Sequence, residues 1–169
     1  MKSIKSGDYT LEEMLLYIEH TNLSSKAKEV TRELLEVILL SGENDITLDF
    51  EDLKVIMSNG GEVFGGTGKH DGKESAIKAI NVAIKNSSLD YNFMDKISGV
   101  LVHFKIHPDF PMMNLAQAME IIHENVNYDA DVIWGTTTDE TVRKYNVKAT
   151  VLFTGFEGNV VANNIYRIV

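Results

Sequence analysis

The chain has 169 residues, no cysteine, and 25 acidic against 16 basic side chains, a formal net charge of −9. That acidity speaks against nucleic acid or an anionic membrane as partner, since both need a basic footprint, and the missing thiols exclude disulfides, thiolate zinc sites and cysteine nucleophiles. With 44% apolar and 24% charged residues the composition suits one ordinary globular domain. The first ten residues lack the apolar core of a signal peptide, and the apolar runs are far shorter than the ~20 residues of a membrane span, so the expected location is the cytoplasm.

In chain order, Thr10-Leu-Glu-Glu13 carries a capping-box pattern. It predicts a helix to about His20, with Leu11, Met14, Leu15 and Ile18 as its apolar stripe. Ser24 or Ser25 caps a second helix to about Leu40. There Ala27, Val30, Leu34, Val37 and Ile38 recur at helical spacing, and Ser41-Gly42 supplies a stop. Asp49 is placed to cap a short helix through Met57, ended by Asn59-Gly60-Gly61. Residues 62–69 read as a strand running into a glycine turn. Residues 71–86 read as a helix with Ala76, Ile77, Ile80, Ala83 and Ile84 inward.

The clearest strand is 99–107, with Val100, Val102, Phe104 and Ile106 on one face and Leu101, His103, Lys105 and His107 on the other. Pro108-Asp-Phe-Pro111 makes a rigid turn, and Asn114 caps a helix to about Val126. Strands at 130–137 and 147–154 are joined by a hairpin-like loop, and 165–169 is an edge strand or a tail. The sum is an α+β fold: one mixed sheet with helices packed on it, preceded by a helical N-terminal part.

Gly65-Gly-Thr-Gly-Lys69 has the composition of a phosphate loop without its spacing. Gly68-Lys69 would need glycine where Val63 stands, and Gly72-Lys73 would need it where Thr67 stands. A glycine turn accounts for the run. Glu120-Ile-Ile-His123 matches the spacing of carboxylate di-metal sites, but those need a second copy and further carboxylates, so no metal is expected. Phe110-Pro-Met-Met113 reads as gap-filling core. The acidic run Asp45-Ile-Thr-Leu-Asp-Phe-Glu-Asp52 is richer, because it puts Asp49 and Asp52 on one side of a starting helix. Such a pair either caps the helix and complements its dipole, or orients water or Mg²⁺ near a phosphate.

Residues 45–57, Asp-Ile-Thr-Leu-Asp-Phe-Glu-Asp-Leu-Lys-Val-Ile-Met, resemble the synergy loop of the FtsZ family of bacterial tubulin homologues. There an Asn-x-Asp-Phe-Ala-Asp pattern runs into an apolar helix ending in Met. The resemblance continues in order through Met57-Ser-Asn-Gly-Gly-Glu62, Gly65-Gly-Thr-Gly68, Gly72-Lys-Glu-Ser-Ala76, and the stretches 99–104, 131–137 and 147–156. Residues 26–40 occupy the place of the family's long central helix, and the turn from His107 to Pro111 is similar to that of epsilonproteobacterial members.

The resemblance implies a C-terminal-domain fold of the FtsZ and tubulin type, a four-stranded mixed sheet with two packed helices. It divides the chain into an N-terminal helical segment (1–42), an FtsZ C-terminal-like domain (43–156) and a tail or edge strand (157–169). It also implies a cell-division, cytoskeletal role, in which the loop of one filament subunit completes the GTP site of the next and its aspartates position the attacking water. Asp49 and Asp52 are those aspartates here, acting only in trans. Thr47 stands in place of the family's Asn as the candidate nucleotide contact, and Glu51 in place of its Ala.

The GTP-binding half, whose Gly-Gly-Gly-Thr-Gly-x-Gly signature precedes the loop, has no counterpart in these residues. The resemblance thus implies no cofactor and no GTPase activity of the chain's own, with a full-length FtsZ or FtsZ-like protein as partner. Residues 1–23 match nothing recognisable in the family. The alternative is an adaptor or small-molecule-binding α+β domain with no filament role.

Overall fold

The computed structural model describes residues 5–6, 9–21, 23–40 and 45–156. A two-residue ladder, β1 (Lys5–Ser6) with β2 (Tyr9–Thr10), leads into α1 (Leu11–His20), α2 (Ser25–Leu40) and α3 (Phe50–Met57). Then follow β3 (Glu62–Asp71), α4 (Ser75–Asn86), a 3₁₀ turn (Tyr91–Lys96), β4 (Gly99–Ile106), α5 (Met112–Asn125), β5 (Asp131–Thr138) and β6 (Asn146–Phe156). Strands β3 to β6 form one mixed sheet in the order β3-β6-β4-β5, with β4 parallel to β5 and β6 antiparallel to both its neighbours. The expected α+β fold with its four-stranded mixed sheet is present.

The order corrects one connection. Residues 139–145 do not make a hairpin, because β4 lies between β5 and β6. Parallel strands β4 and β5 are joined by α5, as parallel pairs require a crossover, and the chain then passes over the end of β4 to insert β6 beside β3.

Both faces of the sheet are covered. On one, Val100, Val102, Phe104 and Ile106 of β4 meet Ala79, Ile80 and Ala83 of α4 and Leu115, Ala118 and Ile122 of α5. On the other, Leu101 and Leu152, opposite each other on β4 and β6, floor a second core with Leu34 and Leu35 of α2, Leu53 and Ile56 of α3, and Met14 and Ile18 of α1. The N-terminal helices are therefore a third layer. Because α2 lies between sheet and α1, its buried face widens to include Thr31 and Leu35. Conversely Leu15 of α1, expected inward, is 39% exposed.

The glycine run is the second correction. Gly65, Gly66 and Gly68 lie inside β3, in extended backbone paired to β6, not in a turn. They let helices approach. A Cβ on Gly66 would stand 2.3 Å from the Ala83 carbonyl oxygen, one on Gly68 2.3 Å from that of Ala79, and one on Gly65 2.9 Å from Val30 Cβ. The strand thus runs on to Asp71, and α4 starts at Ser75 after a turn with left-handed Gly72 and Glu74. Helix α5 likewise begins at Met112, two residues before the expected Asn114 cap. Of the Phe110–Met113 group only Phe110 joins the core, while Met112 and Met113 are 47% and 69% exposed. The Ser41-Gly42 stop and the 157–169 tail lie outside the described residues.

Candidate functional site

The acidic loop is fastened to the free edge of β5. Asp45 Oδ1 accepts the Thr138 N–H (2.8 Å), Ile46 N–H donates to Thr136 Oγ1 (2.9 Å), and Thr136 N–H donates back to the Ile46 carbonyl (2.9 Å). Leu48 is buried over Gly135, where a Cβ would lie 2.6 Å from Leu48 Cγ. Thr47, between these anchors, is exposed, and its hydroxyl is 3.5 Å from the Asp45 carbonyl oxygen, a weak contact at best.

At the end of the loop Asp49 caps α3, in a reciprocal capping box with Asp52. Asp52 N–H donates to Asp49 Oδ1 and Asp49 N–H to Asp52 Oδ2, each at 2.9 Å. The structure therefore brings Asp49 and Asp52 together, at the surface, with Thr47 two residues upstream. The rest of α3 is anchored: Phe50, Leu53, Ile56 and Met57 are buried. Partial burial raises the pKa of Asp52 above the usual carboxylate value, the Asp49 backbone N–H opposes this, and the Asp49 charge adds to it. The capping box occupies one oxygen of each carboxylate, and the other oxygen of each has the chemistry to accept from a water.

Side chains from the N-terminal segment complete the surroundings. Tyr9 Oη donates to Glu51 Oε1 (2.6 Å) and accepts from Lys54 Nζ (2.7 Å), and its ring meets Phe50 edge-on at 4.9 Å. Tyr17 of α1 packs edge-on against the same Phe50 at 5.4 Å. Sequence reasoning missed these partners, as it missed Thr136 and Thr138, because nothing local in the chain joins residues so far apart.

Further along the same face, a groove of about 290 Å³ between α2 and the sheet is lined by Glu33, Val37, His103, Lys105, Thr137 and Lys148. Its floor holds His103, 3% exposed, with Nε2 2.7 Å from Thr137 Oγ1. Burial pushes the imidazole down to about 4, helped by Lys148 and Lys105 and opposed by Asp45. The two lysines are paired, Lys148 with Glu33 (3.4 Å) and Lys105 with Asp139 (3.3 Å). His123 is exposed, and among the described residues no group of three His, Asp or Glu side chains has metal-holding geometry. No helix among them is long and apolar enough to cross a membrane.

Comparison with known proteins agrees with this architecture. The family model of the FtsZ family C-terminal domain matches residues 61–157. The cell division protein FtsZ of Helicobacter pylori is 33% identical over 121 residues, 72% of this chain and 31% of that protein. FtsZ of Rickettsia typhi is 31% identical over 180 aligned positions, covering 95% of this chain and 40% of the relative.

Among solved structures, an empty FtsZ dimer from M. jannaschii superposes with a TM-score of 0.64 at 27% identity, over 85% of this chain and 43% of that one. A TubZ protofilament subunit, at 12% identity and a TM-score of 0.53, shares the fold. The chain spans about a third of the length of the Helicobacter relative. A domain match over more than half the chain, together with the mixed sheet and its helices, shows that the chain belongs to the FtsZ family, with residues 61–157 forming that family's C-terminal domain.

Proposed function

We propose that this chain is a filament-associated module of the cell-division cytoskeleton, working in the cytoplasm. It presents Asp49 and Asp52 to the GTP site of a neighbouring FtsZ-type subunit. The observation that supports this best is the start of α3: both carboxylates reach solvent side by side while the helix behind them is buried in the second core. A rigid acidic edge of this kind can orient a water next to a phosphate. It meets a polyphosphate favourably only where the neighbour's Mg²⁺ or basic side chains offset the like charge. Thr47, exposed two residues upstream of Asp49, is the candidate for a further polar contact with the nucleotide.

On this reading the chain has no nucleotide of its own and no GTPase activity alone. A polypeptide of these 169 residues would add to the filament end where bound nucleotide is exposed. Substoichiometric amounts should shorten filaments of full-length Helicobacter pylori FtsZ, lowering light scattering and changing GTP turnover. Asp49→Ala with Asp52→Ala should remove the effect on turnover while the fold persists. Unchanged scattering and turnover at equimolar ratio would refute the reading and favour an adaptor with no filament role. Calorimetric titration of the isolated chain with GTP should show no micromolar site.

A further inference from the structure

We propose that Tyr9 is a positioning residue for the acidic start of α3, so that the β2–α1 segment acts as a latch on Asp49 and Asp52. This rests on the reading that the two aspartates face a neighbour's nucleotide.

A capping box made of two carboxylates is a poor anchor by itself. The two like charges sit on successive ends of one turn, and the helix has only eight residues. Glu51 and Lys54, one turn apart, would form an exposed ion pair, which orients side chains weakly; their direct separation is 3.9 Å. The Tyr9 hydroxyl closes that gap, giving its proton to Glu51 Oε1 and receiving one from Lys54 Nζ, whose nitrogen also lies 4.6 Å from the ring centroid. This bond raises the affinity of Lys54 for its proton. Below the hydroxyl, the ring holds Phe50 from one side and Tyr17 holds it from another.

The side chains of residues 50, 51 and 54 are thus all gripped by the N-terminal segment. Asp49 and Asp52, bonded in sequence to Phe50 and Glu51, have their direction set by that grip. The segment itself is seated by Met14 and Ile18, both buried against α2 and α3, and by the Glu19–Arg32 ion pair between α1 and α2.

The test uses the full ¹⁵N,¹³C-labelled chain. Solvent exchange of the Asp52 amide and titration of the Asp52 carboxyl are followed by NMR, with the Leu101 and Leu152 amides as reporters of global opening. Tyr9→Phe keeps the ring and loses both hydrogen bonds. It should speed exchange at Asp52 by about three- to tenfold and leave the strand amides unchanged. Tyr9→Ala should exceed tenfold and move the Asp52 titration down toward the usual carboxylate value as the turn becomes hydrated. An Asp52 amide or carboxyl indistinguishable from wild type in Tyr9→Ala overturns the assignment. So does acceleration of the strand amides by the same factor. If Tyr9→Ala fails to fold, exchange in Tyr9→Phe decides.

GTP turnover of full-length Helicobacter pylori FtsZ separates this proposal from the reading beneath it. A loosened Asp52 with undiminished effect on turnover sinks the nucleotide-facing role and keeps the latch. An unaltered Asp52 with an effect that Asp49→Ala abolishes does the reverse.

Discussion

Among the groups through which lowering the pH should destabilise this fold, the buried His103 is the one to isolate. Its imidazole is neutral in the folded protein, pushed down to about 4 by burial, while in the unfolded chain it titrates near 6.5. The unfolded state therefore binds the proton first. Stability is unaffected by this group above pH 6.5, falls progressively as pH drops from 6.5 to 4, and levels off below. A gap of about 2.5 pH units corresponds to about 3 kcal/mol, a substantial share of the 5–15 kcal/mol typical of a domain. No favourable rearrangement is at hand for the charged form. Lys105 and Lys148 line the same groove, and Asp45, the acid whose charge raises the histidine pKa, already accepts from the Thr138 N–H. The assay is urea unfolding of the wild type and of His103→Gln at pH 7.5, 6.5, 5.5 and 4.5. Gln keeps a polar group near Thr137 but does not titrate, so subtracting its pH profile removes the shared contribution of the carboxylates. The difference between the two proteins should shrink by 2–3 kcal/mol toward acid pH. Parallel profiles would refute the burial argument and place His103 in contact with water.

Leu34 is fully buried between α2, α1 and the sheet, so Leu34→Asp should cost several kcal/mol, and an unchanged melting temperature would show α2 to be peripheral. Gly66→Ala should lower stability by at least about 2 kcal/mol in denaturant titration, since its Cβ meets backbone atoms of α4 that cannot swing aside. Asp49→Ala should remove a helix cap at a cost of about 1 kcal/mol, leaving the far-ultraviolet circular dichroism unchanged.

What the sequence disclosed was local. Thr10 with Glu13 and Asp49 with Asp52 cap α1 and α3 as their spacing predicts, and α3 has the bounds 50–57 that its cap and glycine stop indicate. A cap is decided by neighbours three residues away, so a short window contains the whole cause. The glycines of β3 and the two faces of β4 are different. Alternation on β4 places Leu101, His103 and Lys105 on one side correctly, but whether that side is wet depends on α2, which begins over seventy residues earlier. Gly65, Gly66 and Gly68 looked like a turn because glycine permits turns; here it permits contact, and only the positions of α2 and α4 reveal that. The pairing of β6 between β3 and β4 is equally non-local. The acidic pair was legible as a pair, while its fastening to β5 and its grip by Tyr9 were not.

The second core also bears on how the acidic loop would work. Leu101 and Leu152 are opposed across the central strands, and both are fully buried by helices that precede residue 61, where the family domain match begins. Stripped of α2 and α3, the sheet would expose an apolar face at its centre; these helices therefore belong to the same folding unit as the strands. Asp49 consequently sits on a helix packed against the sheet at one end of the loop, and Asp45 is bonded to the sheet edge at the other. A loop tied at both ends to one rigid layer can hold a carboxylate within the few tenths of an ångström that water positioning demands, and it has little entropy left to lose on meeting a partner. The same fastening covers part of the edge of β5, where Thr136 and Thr138 donate their N–H groups to the loop. An edge occupied in this way is closed to pairing with another strand.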